Sequence, residues 1–204
     1  SVTYRTSGEI IFKDNTKLEL EDDFSWNGRY YVYGYGKFQG SRTQLESAIT
    51  LAYDTYGTVV DSNSKLVWKR YRSTQASIDG IVPVTSGDSI VNAVVAVSNY
   101  LGADFNAVSY MEQGHTAVET FDNISGVHGI SLTGITYEKA LSYVGDGSPV
   151  IARIGEDEYI IITAYNSSEI AYIEASTGAQ KTVSMNEAGK MFSQGGNIYV
   201  TYYK

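Results

Sequence analysis

The segment Thr85-Ser86-Gly87-Asp88-Ser89-Ile90-Val91-Asn92-Ala93 constrains the chain more than any other, because it opens a helix with no polar face. From Ser89 to Leu101 the residues Ile90, Val91, Ala93, Val94, Val95, Ala96, Val97 and Leu101 surround the helix axis, and Gly102 ends the run. A helix apolar on every side has to be enclosed by other elements. It is also shorter than the roughly 20 apolar residues of a membrane span, and no other window approaches that length. The segment is therefore expected at the centre of a packed core, with Asp88 or Ser89 capping its first amides.

Elements able to enclose it lie on both sides in sequence. Behind it come short helices over 105–112, 116–121 and 136–144, then strands over 149–154, 158–165, 170–174, 180–183 and 197–203. One further helix interrupts these strands, capped by Ser184 with Glu187 three residues on. Ahead of it, Glu9 to Lys13 and Lys17 to Glu21 read as a hairpin around Asp14-Asn15-Thr16. Arg29 to Phe38 reads as one strand, with Tyr31, Tyr33 and Tyr35 on one face. An amphipathic helix follows, capped by Ser41 or Thr43 and stopped by Gly57, and then a hairpin over 58–61 and 65–70. The stretch from Arg72 to Pro83 has little apolar periodicity and serves as a linker or as a strap across the core. The reading is an α+β protein: residues 1–75 hold an N-terminal hairpin and a small β-α-β-β unit, and residues 76–204 hold the buried helix with an antiparallel sheet.

Composition narrows the chemistry. The net charge of −8 and the lack of a basic stripe beyond Lys69-Arg70-Tyr71-Arg72 argue against nucleic-acid binding. The chain has no cysteine, which removes disulfides, thiolate metal sites and a thiol nucleophile. His115 and His128 both sit in Gly-bearing stretches and read as loop residues rather than a zinc pair. The acidic runs Glu21-Asp22-Asp23 and Glu156-Asp157-Glu158 lack the spacing of a calcium hand. Gly34-Tyr35-Gly36 lacks the strand-to-helix setting of a dinucleotide site. No metal and no cofactor are expected. Ser1 to Arg5 has neither the basic start nor the apolar run of a signal peptide, and the chain reads as a piece of something longer.

Two resemblances sharpen this. Tyr30-Tyr31-Val32-Tyr33, Ser47-Ala48-Ile49-Thr50, Gly57-Thr58-Val59-Val60 and Val67-Trp68 resemble a small repeat of large exported proteins of anaerobic Gram-positive bacteria, which implies an extracellular or cell-surface setting. Residues 79 to 204 resemble papain-like cysteine peptidases of the bacteriocin-leader-processing type. That family has Gly-Asp-Cys at the start of the buried helix, where this chain has Gly87-Asp88-Ser89. Its catalytic histidine opens a strand that matches Glu158-Tyr159-Ile160-Ile161-Ile162-Thr163-Ala164-Tyr165-Asn166, so Glu158 stands in the histidine's place. Its orienting aspartate corresponds to Glu174 in Glu174-Ala175-Ser176-Thr177-Gly178. Its oxyanion glutamine has no counterpart between Ile81 and Asp88.

The resemblance thus implies a papain-like fold with the degenerate catalytic positions Ser89, Glu158 and Glu174. A glutamate of ordinary pKa is a poor base for a serine hydroxyl, so the expected function is a noncatalytic binding or structural module. Its partner would be a peptide or protein held along a strand edge. Two alternatives stay open: an active peptidase or other hydrolase using Ser89, and a glycan-binding module using the faces of Tyr31, Tyr33, Tyr35 and Trp26.

Overall fold

The computed structural model describes residues 30–71 and 74–204, together with the backbone of three short strands before them. These are β1 (Thr3–Tyr4), β2 (Ile10–Ile11) and β3 (Lys17–Leu18), an antiparallel sheet with β2 in the middle. The expected hairpin is the β2–β3 pair, with Ile10 opposite Leu18. Its turn and Trp26 lie outside the described residues.

The second sheet is built from β4 (Tyr30–Gly34), β5 (Lys37–Arg42), α1 (Leu45–Asp54), β6 (Thr58–Val60) and β7 (Leu66–Lys69), in the order β5-β4-β6-β7. The single strand expected over 29–38 is in fact a hairpin. Tyr35 and Gly36 both take positive φ, +50° and +75°, which is the backbone of a two-residue turn matched to strand twist. The unit is therefore β-β-α-β-β. The expected caps of α1 are also replaced: Gln44 precedes the helix and makes no side-chain capping bond. Gly57 does not end the helix through its conformation, since Tyr56 carries the positive φ of 52°. It is needed for closeness, because a Cβ at Gly57 would come within 2.0 Å of the Tyr33 carbonyl oxygen.

The third sheet holds the remaining strands. They are β8 (Ala76–Ser77), β9 (His128–Thr133), β10 (Val150–Arg153), β11 (Tyr159–Tyr165), β12 (Glu169–Glu174), β13 (Gln180–Ser184) and β14 (Ile198–Tyr203). Their order is β13-β12-β11-β10-β14-β9, every pairing antiparallel, with β8 added to β11 beyond the end of β10. The helices are α2 (Ser89–Tyr100), α3 (Ala107–Glu112), α4 (Ala117–Asp122), α5 (Tyr137–Gly145) and α6 (Met185–Gln194). As its all-round apolar surface requires, α2 is enclosed: Ala93 to Val97 are buried between β11 and the short helices α3 and α4. Strand β11 is covered by α2 and α5, which accounts for its unbroken run Ile160-Ile161-Ile162.

His128 does not sit in a loop. It opens β9 opposite Tyr203, its ring 5.0 Å from the tyrosine ring and its Nε2 2.8 Å from Lys65 Nζ. The period-two pattern that betrays β9 is Ile130 and Leu132, both buried, alternating with exposed Ser131 and Thr133. His115 stacks on Tyr110 with ring centroids 3.8 Å apart. Within the basic cluster, Arg70 lies between the rings of Tyr53 and Tyr56 at 4.1 and 3.9 Å.

The second and third sheets meet through polar contacts around an apolar centre. Trp68 is buried and donates its indole N–H to the Lys139 carbonyl at 2.9 Å, the Tyr203 hydroxyl donates to Asp61 at 3.2 Å, and Glu46 accepts from the Thr133 N–H at 3.2 Å. Trp68→Phe keeps most of the ring and removes one donor. It should lower stability by about 1 kcal/mol, read by urea unfolding followed by circular dichroism.

Candidate functional site

The three positions marked by the resemblance come to one end of the large sheet. Ser89 is the first residue of α2, and its hydroxyl meets the backbone of Tyr159, the first residue of β11. Glu158 immediately precedes that residue and is exposed. Glu174 ends β12, where it lies opposite Ile160, and the following Ala175 N–H donates to the Tyr159 carbonyl at 3.1 Å. Helix start, first strand and second strand are thus stitched together at Tyr159.

The stitch governs what Ser89 can do. Its Oγ accepts the Tyr159 N–H at 2.9 Å and lies 3.3 Å from the Tyr159 carbonyl, to which it donates its proton. A serine hydroxyl has one proton, and a general base must take that proton to make a nucleophile. Here it is directed to a carbonyl, which is no base. Neither Glu158 nor Glu174 bonds to it. Glu174 is instead turned to Lys181 and to the Thr177 hydroxyl, 2.7 Å away. Those two bonds, Lys181 first, hold its carboxyl below the ordinary range and make it a still weaker base.

The expected capping by Asp88 or Ser89 does not occur. Asp88 is the N-cap but makes no side-chain capping bond, and Ser89 points to β11. The residue that organises this end is Asn92, which the sequence reading passed over. It is 1% exposed; its Oδ1 accepts the Gly87 N–H at 2.8 Å, and its Nδ2 donates to the carbonyls of Gly87 at 2.7 Å and Ala175 at 3.0 Å. The signal was present, as Asn92 is the one amide in an otherwise apolar half of the helix. The turn after Glu174 is pressed against the segment before α2, since a Cβ on Gly178 would stand 3.0 Å from Pro83 and 3.3 Å from Thr85.

The tyrosine platform does not form. Tyr31 is 2% exposed and belongs to the core of the small unit, Tyr33 is half-buried with its ring 5.5 Å from Phe38, and Tyr35 stands 66% exposed in the hairpin turn. One strand was expected to carry all three on one face; the turn at Tyr35-Gly36 separates them. Among the described residues no cluster of three or more histidine, cysteine or acidic side chains is arranged to hold a metal ion, and no helix is long and apolar enough to cross a membrane.

A buried helix whose first turn meets the start of one strand and the end of its antiparallel neighbour is an α+β arrangement consistent with the papain-like fold. The comparison with solved structures agrees. A crystal structure described as a C39-like peptidase from Bacillus anthracis aligns with a TM-score of 0.53 and 11% identity, over 65% of this chain and 98% of that one. At that identity the likeness concerns the fold alone. No family model and no curated protein matches the chain.

Two outcomes follow. Asn92→Ala leaves three backbone groups without their partner and should cost about 2 kcal/mol in denaturant unfolding. Glu174 has a lowered pKa in the folded state, so its contribution is in place above the ordinary carboxylate range and fades as the pH falls through the lowered value. Lys181→Ala should move the Glu174 midpoint back upward in an NMR titration.

Proposed function

We propose that the chain is a noncatalytic papain-like module that holds an extended peptide or protein segment. The observation that carries this reading is the closure of the Ser89 hydroxyl on the Tyr159 backbone, with its proton and one of its lone pairs engaged. Position 158 carries a carboxylate that does not bond to Ser89 and position 174 an ion-paired one, so neither supplies an imidazole. The fold is of a kind that handles peptides, and the likeness to a C39-like peptidase supports a peptide as the partner.

A place for such a segment exists. β13 is the outer strand on its side of the sheet, and a groove of about 410 Å³ lies over the sheet face between it and the strap, with Thr163, Ala164 and Ala171 to Ile173 of β11 and β12 beneath. The strap residues Ser77 to Ile81 form one wall, and Gln180, Lys181 and Thr182 form the other. An extended peptide laid there would pack its side chains between the strap and β13, and the outer edge of β13 offers main-chain hydrogen bonds to a segment that continues past it. The setting we infer is an exported or cell-surface protein of a Gram-positive bacterium, a reading supported by the resemblances of residues 30–70 and 79–204.

No observation favours the hydrolase reading. A fluorophosphonate probe should leave Ser89 unlabelled, and a diverse peptide library should remain uncut. Labelling at Ser89, or specific cleavage that vanishes in Ser89→Ala, would overturn the proposal.

A further inference from the structure

A separate hollow of about 430 Å³ lies where the small unit meets the large one, between α1, the chain beyond β7, α5 and the far end of β11. It is remote from the helix start. Ser89 touches Tyr159 at one end of β11 and the hollow is bounded by Tyr165 at the other; six strand steps place roughly 20 Å between them. Its volume falls within the roughly 300 to 1,000 Å³ of small-ligand sites.

Four tyrosines line it: Tyr53, Tyr71, Tyr137 and Tyr165. The rings are backed by rigid neighbours. Tyr53 carries the Arg70 guanidinium 4.1 Å from its centroid and stands 6.5 Å from the Trp68 ring. Tyr137 lies 6.0 Å from Phe192 and leans on Gly189, where a Cβ would be 3.1 Å from its ring. Tyr71 covers Gly145 so closely that a Cβ there would fall 2.5 Å from its ring and 2.9 Å from the Tyr165 hydroxyl. Absent side chains at positions 145 and 189 are thus what let three of the rings take their places.

The polar groups among the rings are of both kinds. Glu138 brings an acceptor and Arg70 brings donors beyond the one given to the Tyr53 carbonyl. Asn166 has its carboxamide oxygen occupied by Ser168 and Glu169, which leaves its NH2 group for a ligand. The hydroxyls of Tyr53 and Tyr71 can donate or accept. Opposite charges at one mouth disfavour a ligand of strong net charge: an anion meets Glu138, and a cation meets Arg70. What matches is an uncharged molecule with an apolar face and a rim of hydroxyls.

We propose that the hollow bounded by Tyr53, Tyr71, Tyr137 and Tyr165 binds a neutral saccharide, with ring faces stacked on its C–H surface and Glu138, Arg70 and Asn166 bonded to its hydroxyls. The site is independent of the peptide reading of the β13 edge.

The test is a titration of the full chain, labelled at its tyrosine rings, with cellotriose, maltotriose and chitotriose at millimolar concentration, followed by NMR. At least one should shift the signals of Tyr71, Tyr137 and Tyr165 saturably while Tyr35 stays still. Tyr71→Ala and, separately, the exposed Glu138→Gln should each weaken that trisaccharide by about tenfold. A proline-rich peptide, the other occupant aromatic grooves accept, and choline serve as comparison probes. No saturable shift with any trisaccharide overturns the proposal. So do shifts produced only by the peptide or by choline, and trisaccharide binding indifferent to both substitutions.

Discussion

The carboxamide of Asn92 bonds to both sides of the Gly87 peptide and to the end of β12, and the arrangement around Ser89 depends on it. A helix as apolar as α2 gains from burial at any rotation about its axis, so hydrophobicity alone does not decide which residue meets which strand. A buried amide does, because leaving its groups unpaired is costly and only one rotation satisfies them. With α2 so oriented, Ser89 falls on Tyr159, and the strands bearing Glu158 and Glu174 are set beside the helix start.

Much of the large unit was legible because its elements carry strong periods and clear ends. The apolar helix stops at Gly102, the capping pair Ser184 and Glu187 forms as expected, and Thr116 with Glu119 makes a full capping box. Where the reading failed, local chemistry was unusual. Tyr35-Gly36 makes a turn that Asn-Gly more often makes, so a hairpin looked like one long strand. The strand opened by His128 was hidden by its flanking glycines. Gly129 is there because a side chain would strike Val118, at 2.4 Å from its carbonyl oxygen, and not because the chain must turn.

The positions at the helix start were legible in the sequence, and their bonding was not. The resemblance marks Ser89, Glu158 and Glu174, the periodicity sets them at the ends of elements, and the fold brings those ends together. That the hydroxyl closes on a backbone peptide is a fact of distance that no pattern of residue types contains. The four tyrosines at the junction lie in four separate elements or connections, and nothing in their order along the chain joins them.

The closure at Ser89 also bears on how such a chain could change over generations. A cysteine at this position would replace a compact hydroxyl with a larger, weaker donor and acceptor, and the link between α2 and β11 would loosen. A thiol alone would have no imidazole beside it, and an imidazole alone at position 158 would have no thiol to serve. The identity of residue 89 is therefore tied to the docking of α2 on β11 as much as to any chemistry at the helix start.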